Sequence, residues 1–321
     1  MTDRSSDSTT ADEAVPGARE RRVPGARVGD GITSPVEVAV TDAGPESGPA
    51  VLLLHGFPDS RRLWRHQVRA LADAGHRVVA PDLRGFGDTD APDRVGAYRL
   101  GLVVDDVLAV LDALGLDRVV VVGHDWGSLV AWRLAAAHPE RVRALVAVSV
   151  GHPGARAAGG PAQLWRGLYV LAFLVPGLAE RLLPWRGWWL WRALAWRGAR
   201  PADEPDLARQ VADLSRPGRL AAGLAWYRAN ATPGRRRRRA GSAAVGAQGP
   251  GVRRGVVDRP VMGVWSDRDP ALTERQMTAS ARFVTGPWRY ETLVGVDHWV
   301  PVRAPSALDA LLLGFLEQLE A

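Results

Sequence analysis

The 321-residue sequence contains no cysteine and no lysine, and it has a single isoleucine (Ile32) and a single asparagine (Asn230). The absence of cysteine excludes a disulfide scaffold, a thiolate nucleophile, a cysteine-ligated metal and an iron–sulfur cluster. It leaves the cellular compartment open, with the cytoplasm as the default expectation. We predict no site for a metal or an organic cofactor.

Long apolar runs are also missing. No run reaches the roughly 18 residues that a membrane-spanning helix needs, and the longest candidate, Leu168 to Ala179, is interrupted by Pro176. The first 30 residues are polar and lack the apolar core of a secretory signal. We therefore expect a disordered tail over residues 1–30.

The positive net charge of +6 is a local feature of the sequence. Seven arginines lie close together, at positions 235–239, 253 and 254, and without them the 41 basic residues fall to 34 against 35 acidic ones. A balanced remainder argues against a nucleic-acid-binding domain. The arginine run at 235–239 is typical of a solvated linker.

Alternating strand and helix patterns predict an α/β fold with a mostly parallel sheet flanked by helices. Valine-rich runs bounded by glycine are typical of parallel strands that are covered on both faces. The alternation occupies residues 31–152 and resumes over residues 258–321, so we expect these two segments to form one core. The predicted strands are Val36–Val40, Ala50–Leu54, His76–Pro81, Arg118–Val122, Val142–Val150, Arg259–Ser266 and Arg289–Val294.

Between the two core segments, residues 153–232 have a helical, proline-punctuated and tryptophan-rich pattern that predicts an inserted helical lid over the sheet. Residues 233–257 are of low complexity and predict a flexible return linker. The stretch Trp185 to Trp196 could be an interfacial membrane helix, but a lid helix that packs on the core is favoured.

The strongest catalytic signal is Gly123-His124-Asp125-Trp126-Gly127-Ser128, which follows four valines. A strand that enters a G-x-D-x-G turn before a helix is the nucleophile-elbow pattern, in which only small residues fit two positions before and after the central residue. The elbow presents Asp125, a carboxylate that needs no base to attack at neutral pH. The alternative is an ordinary turn with a capping aspartate.

Two further segments fit a catalytic interpretation of the elbow. His55-Gly56-Phe57-Pro58 follows a predicted strand, and the backbone N–H of Phe57, with that of Trp126, is expected to form an oxyanion hole. Gly295-Val296-Asp297-His298-Trp299 follows the last predicted strand and supplies His298 as the base. An acid that orients this base should follow the strand before it, where Asp267 and Asp269 compete.

The sequence resembles the α/β-hydrolase superfamily and, among its branches, the epoxide hydrolases. The matching segments are 55–58, 82–87 (Asp-Leu-Arg-Gly-Phe-Gly), 123–127 and 297–299. The resemblance favours Asp269 over Asp267 as the triad acid, because Asp269-Pro270-Ala271-Leu272 fits the register of the family. It also implies two lid tyrosines, for which Tyr227 and Tyr169 are the candidates.

The resemblance implies that an epoxide is hydrolysed to a vicinal diol through an ester on Asp125. Trp299 and Pro58, which belong to the matching segments, are expected to line the substrate pocket. The expected partners are a hydrophobic epoxide and water, with no nucleic acid and no membrane, while a homodimer is left open. A haloalkane dehalogenase with the same triad and a ligand-binding protein without turnover remain as alternatives.

Overall fold

The computed structural model describes residues 15, 17–26, 36–196, 200–231 and 255–320. These residues form one eight-stranded sheet in the order β1-β2-β4-β3-β5-β6-β7-β8. The strands β1 and β2 pair antiparallel, as do β2 and β4, and the remaining pairs are parallel. The predicted α/β class is confirmed. The strands are β1 (Arg19–Pro24), β2 (Glu37–Ala43), β3 (Ala50–Leu54), β4 (Arg77–Pro81), β5 (Val119–His124), β6 (Val142–Val148), β7 (Val261–Ser266) and β8 (Trp288–Leu293).

Helices cover both faces of the sheet. Because side chains alternate between the two faces of a strand, residues of both parities are buried. Val120 and Val122 of β5 join the apolar cluster under α1, α11 and α12, whereas Val119 and Val121 join the cluster under α2 and α3. This two-sided burial explains the continuous valine run. The helices are α1 (Arg65–Asp73), α2 (Leu100–Ala113), α3 (Trp126–Ala137), α4 (Gly160–Arg166), α5 (Tyr169–Leu174), α6 (Leu178–Leu182), α7 (Trp185–Ala195), α8 (Pro205–Ser215), α9 (Arg219–Asn230), α10 (Glu274–Ala279), α11 (Val300–Arg303) and α12 (Pro305–Glu320).

The helices α4 to α9 form an insertion between β6 and β7, and their apolar side chains join the cluster on the α2–α3 side of the sheet. Trp188, Trp191 and Trp196 are buried, as the lid interpretation of this stretch requires. Trp185 and Trp189 are more than half exposed, at 53% and 54%. No helix within the described ranges is long and apolar enough to cross a membrane.

The expected disordered tail over residues 1–30 is wrong for Arg19–Pro24, which form β1. Antiparallel pairing with β2 satisfies the backbone of this charged segment without the apolar content that we used as a guide. Val23 is buried, and Arg21 forms an ion pair with Asp42 at 3.1 Å. Residues 1–14 and 27–30 lie outside the described residues.

The predicted linker over residues 233–257 falls largely outside the described residues, as do the arginines 235–239. At its end the prediction is wrong, because Val257 is fully buried and forms a β-bridge with Val284. The bridge places the chain beside the sheet before β7 begins.

Candidate active site

Asp125 is the only residue between β5 and α3, in a turn that the neighbouring glycines permit. Its φ of 52° and ψ of −119° are unusual for a residue with a side chain, a strain of roughly 1–3 kcal/mol. A Cβ at Gly123 would lie 2.4 Å from the carbonyl oxygen of Gly127, and one at Gly127 would lie 2.0 Å from that of Leu54. The strand and helix therefore close on a residue held in strain.

Backbone N–H groups hold one side of the Asp125 carboxylate. The N–H of Phe57 donates to Oδ1 at 2.9 Å, and the N–H of Trp126 also donates to the carboxylate. Burial raises the pKa of Asp125, although His298 and the two N–H groups act against this rise. Both predicted oxyanion donors thus already donate to the Asp125 carboxylate.

The loop that carries Phe57 is held by the buried ring of His55. The N–H of Leu83 donates to His55 Nε2 at 2.9 Å, so the proton of the neutral ring lies on Nδ1, which donates to the carbonyl of Gly56 at 2.9 Å. Burial lowers the pKa of His55, in keeping with a neutral ring. A Cβ at Gly56 would lie 2.4 Å from Asp125 Oδ1, so the loop can approach the carboxylate only because residue 56 is glycine.

His298 lies between two carboxylates. Its Nδ1 is 2.7 Å from Asp269 Oδ2, and its Nε2 is 3.7 Å from Asp125 Oδ2. Burial disfavours the imidazolium, but the charge and hydrogen bond of Asp269 and the charge of Asp125 outweigh it and raise the pKa of His298 to about 9. In the resting enzyme the ring is therefore positively charged at neutral pH.

The structure brings Asp269, and not Asp267, to His298. Asp269 is buried, and its Oδ1 accepts the N–H groups of Ala271 and Leu272 at 2.8 and 3.0 Å. Although burial acts in the opposite sense, His298 and these N–H groups hold the pKa of Asp269 below its ordinary value. Asp267 is exposed and accepts the N–H of Gly295 at 2.6 Å, and it does not pair with its neighbour Arg268.

The two candidate lid tyrosines also line the site, Tyr169 from α5 and Tyr227 from α9. Tyr227 of α9 hydrogen-bonds with the side chains of Trp126 and Tyr169, and its ring packs edge-on against Phe57 with 5.5 Å between centroids. Burial, followed by the negative charge of Asp125, raises the pKa of Tyr169, and burial likewise raises that of Tyr227. Both hydroxyls therefore keep their protons and can donate hydrogen bonds.

The tyrosines and the Asp125 carboxylate line one cavity of about 180 Å³. Trp299 lines it, as expected. Pro58 does not, so this prediction is wrong: it is buried at the corner of a turn that the hydrogen bond from Asp59 N–H to the Gly56 carbonyl closes, and only Phe57 of this turn reaches the cavity. The lining residues are Phe57, Asp125, Arg166, Tyr169, Phe173, Leu183, Trp191, Leu194, Ala195, Tyr227, Pro270, Ala271, His298 and Trp299.

Sequence reasoning missed three residues around this cavity. Arg166 of α4 donates through Nη1 to the carbonyl oxygen of Asp269 at 2.9 Å and also to that of Leu272. His124 donates through Nε2 to the carbonyl of His298 at 2.8 Å. The indole nitrogen of Trp191 is buried without a hydrogen-bond partner in the described part of the chain.

Different signals could have found these residues. His124 belongs to the elbow segment itself, so its position beside the nucleophile was readable. Arg166 and Trp191 belong to no motif, and only the packing of the insertion brings them to the cavity. Within the described ranges, no group of three or more His, Asp or Glu side chains could hold a metal ion.

Comparison with known proteins shows the family to which the fold belongs. The model of a family described as alpha/beta hydrolase fold matches residues 49–305. Epoxide hydrolase A of Mycobacterium tuberculosis is 32% identical over 324 aligned positions, which cover 90% of this chain and 96% of the relative. An AB hydrolase superfamily protein of Bacillus subtilis is 30% identical and covers 89% of this chain and 96% of its own length.

Solved structures give the same result. The crystal structure of epoxide hydrolase A from Mycobacterium thermoresistibile superposes with a TM-score of 0.72 at 28% identity, covering 94% of this chain and 98% of the other. An epoxide hydrolase from Vigna radiata superposes with a TM-score of 0.72 at 27% identity, covering 95% of this chain and all of the other.

Proposed function

The chain belongs to the α/β-hydrolase fold family, and we propose that it is an epoxide hydrolase that opens the ring through an ester on Asp125. The observation that carries this proposal is one cavity that is lined by a carboxylate, Asp125, and by two tyrosines, Tyr169 and Tyr227, whose hydroxyls keep their protons. We further propose that residues 153–232 act as the cap of this site and that the protein works in the cytoplasm.

In the first step, Asp125 attacks a ring carbon of the epoxide. Because Oδ1 is held by the N–H of Phe57 at 2.9 Å, Oδ2 is the oxygen that is free to attack. The new ester bond forms as the ring C–O bond breaks, and the oxygen that leaves becomes an alkoxide. Tyr169 and Tyr227 donate hydrogen bonds to this oxygen, which stabilises the negative charge as it develops.

Ester formation also prepares His298 for the second step. The negative charge of Asp125 is one of the causes that raise the pKa of His298, and this charge disappears when the carboxylate becomes an ester. The imidazolium then gives its proton to the alkoxide, which becomes the first hydroxyl of the product, and the neutral ring can act as a general base. Asp269 keeps the other proton on Nδ1, so that Nε2 faces the ester.

In the second step, water attacks the carbonyl carbon of the ester and gives a proton to His298 Nε2. The carbonyl oxygen becomes an oxyanion in the position where the N–H groups of Phe57 and Trp126 already donate. Collapse of this intermediate breaks the ester C–O bond and transfers the proton of His298 to the departing oxygen. The carboxylic acid left on Asp125 then gives the second proton of the water to the neutral ring, which restores both the carboxylate and the imidazolium. The product is a vicinal diol, and no proton or electron is left unbalanced.

A haloalkane dehalogenase is the second candidate, because Trp191 offers a buried indole N–H that could serve a departing halide. Against it, the indole of Trp126 already donates to Tyr227, and Phe57 offers no side-chain donor. Two tyrosine hydroxyls serve the oxygen of an epoxide better than a halide, which needs no proton.

Side-by-side assay of styrene oxide and 1-bromobutane tests the proposed function. We expect diol from styrene oxide and no bromide above the background of Asp125→Ala. Bromide release without diol would favour the dehalogenase. Tight binding of styrene oxide without turnover of either compound would instead indicate a ligand-binding protein.

A further inference from the structure

The insertion exposes an unusual amount of apolar surface. Every large apolar side chain that is exposed in the described part of the chain lies between residues 164 and 194, except Val95 and Val294. Trp165 is 76% exposed and Leu164 is 70% exposed. Monomeric proteins rarely leave large apolar patches in water unless the patch binds something.

These exposed side chains recur every three or four residues along the chain and form two stripes. The second stripe crosses a kink in α7, where Arg186, Gly187 and Trp188 have left-handed backbone angles. The first stripe consists of Leu164, Leu168, Leu171 and Val175, and the second of Leu178, Leu182, Trp185 and Trp189. We call the two stripes together the outer apolar face. Phe173, Leu183 and Trp191 of the same helices are buried and line the cavity. The helices are therefore apolar on their solvent side as well as on their core side.

The charges in this part of the sequence are mostly positive, and Arg181 and Arg186 are exposed. Between residues 160 and 196 the sequence has four arginines, at 166, 181, 186 and 192, and a single acidic residue, Glu180. Glu180 already binds Arg228 of α9 at 2.6 Å. The guanidinium of Arg186 lies 4.5 Å from the centre of the Trp185 ring. Exposed tryptophan, leucine and arginine together are typical of segments that lie at a membrane surface.

The positive charge near the outer apolar face distinguishes between two possible partners, a second copy of the chain and a lipid bilayer. A second copy of the chain would bring the same arginine-bearing surface against itself, because a two-fold interface is self-complementary. Like charges at such an interface are unfavourable. An anionic lipid surface has the opposite sign and offers an apolar layer for the leucine and tryptophan side chains.

The position of the cavity agrees with a lipid partner. Leu194 is 52% exposed beside this face and also lines the cavity, as does the partly exposed Arg166. We propose that the outer apolar face docks on an anionic lipid bilayer, with the cavity beside the contact. This departs from the expectation, drawn from the sequence, that no membrane is bound. Docking on the bilayer does not depend on the proposed epoxide hydrolysis. The proposed function explains only why the cavity would take up an apolar substrate from the membrane.

Co-sedimentation of the full chain with vesicles tests the docking. We expect binding to vesicles of phosphatidylcholine with about a third phosphatidylglycerol, and much weaker binding to phosphatidylcholine alone. The double variant Leu171→Ser/Trp189→Ser removes one apolar side chain from each stripe and should lower the partition coefficient at least tenfold. The matched control Val95→Ser/Val294→Ser should bind like the wild type.

The same samples separate docking from other causes. The arginines 235–239 are kept in every variant, so a loss of binding in Leu171→Ser/Trp189→Ser reports on the outer apolar face. Turnover of styrene oxide in buffer without vesicles should be unchanged in both double variants, which shows that they fold and tests the proposed function independently. Equal binding of wild type and Leu171→Ser/Trp189→Ser, or no binding to anionic vesicles, would overturn the proposal. So would a concentration-dependent dimer that only this double variant abolishes, without vesicle binding.

Discussion

Two regions of the molecule meet at the cavity, and they hold their polar groups by different means. On the sheet side, the main chain fixes Asp125: a strained turn, two glycines and two backbone N–H groups leave its carboxylate little freedom. On the helical side, the hydroxyls of Tyr169 and Tyr227 are placed by helices of the insertion.

Side-chain contacts attach these helices to the core. Asn230, just after Tyr227, accepts the N–H of Leu100 at 3.0 Å and donates to the carbonyl of Tyr98 at 2.9 Å. In α8, Arg209 forms a buried ion pair with Asp59. The contrast teaches that substitutions on the sheet side should change the chemical steps of the ester, whereas substitutions on the helical side should change how well the epoxide oxygen is stabilised.

The strongest way to test this contrast on the sheet side is Asp269→Asn. The substitution disturbs the tautomer and orientation of His298, so we expect ester hydrolysis to slow by about 10³-fold or more while ester formation changes little. Single-turnover kinetics with styrene oxide measure the two steps separately.

Asp267→Asn is the matched control, because it makes the same change two residues away on an exposed carboxylate. We expect it to behave like the wild type. A large hydrolysis defect in Asp267→Asn, with Asp269→Asn near wild type, would show that Asp267 and not Asp269 is the triad acid.

On the helical side, Tyr227→Phe should lower the rate of ester formation by about 10²-fold, the usual loss for one transition-state donor. The hydrolysis step should be spared, since the alkoxide has by then been protonated. Tyr290→Phe makes the same change on β8, where its hydroxyl binds Glu274 at 2.9 Å, and should leave both steps unchanged. Slower ester hydrolysis with normal ester formation in Tyr227→Phe would contradict the assignment of epoxide stabilisation to the helical side.

The pH dependence sharpens the sheet side of the comparison. Neutral His298 is the active base, so ester hydrolysis should slow as the pH falls through the pKa of His298 in the ester. The pH midpoint of ester hydrolysis should lie below 9, because the pKa of His298 is raised to about 9 only while Asp125 is charged. Ester formation should fail at lower pH, where Asp125 becomes protonated. Single-turnover rates across pH measure both, and a midpoint for hydrolysis at or above 9 would contradict the proposed loss of the Asp125 charge.

The smallest expected effect on ester hydrolysis is that of a substitution at Arg166, where the helical side contacts the sheet side. Arg166 of the insertion binds the carbonyl oxygen of Asp269, so we expect Arg166→Met to slow ester hydrolysis about tenfold, the scale of one charged hydrogen bond. As a positioning residue it should also shift the pH midpoint of that step. Arg275→Met, on an exposed helical surface, should do neither. A change in KM alone would instead make Arg166 a substrate contact.

The same contrast explains what could be predicted from the sequence. Asp125 and Phe57 belong to short segments in which close backbone contacts require glycine, and His298 follows the last predicted strand, so the positions of all three could be predicted from the sequence. The core strands were predicted because burial on both faces leaves continuous valine runs; β3, for instance, has the predicted bounds of Ala50–Leu54.

The remaining features depend on contacts between distant residues. The strand Arg19–Pro24 has no apolar pattern and exists because the edge of β2 pairs with it. The placement of Arg166 and Trp191 follows from how the insertion packs. The spacing of the residues alone left Asp267 and Asp269 open, and only the resemblance favoured Asp269, whose carboxylate is held by the N–H groups of Ala271 and Leu272. Such contacts leave no local periodicity in the sequence.

The most direct test of the central claim, a covalent ester on Asp125 that His298 resolves, is intact-mass spectrometry of His298→Gln after incubation with styrene oxide. We predict that the protein gains the mass of one styrene oxide, that peptide mapping places it on Asp125, and that Asp125→Ala/His298→Gln gains nothing. Diol formation by His298→Gln without any adduct, or an adduct on another residue, would contradict the account.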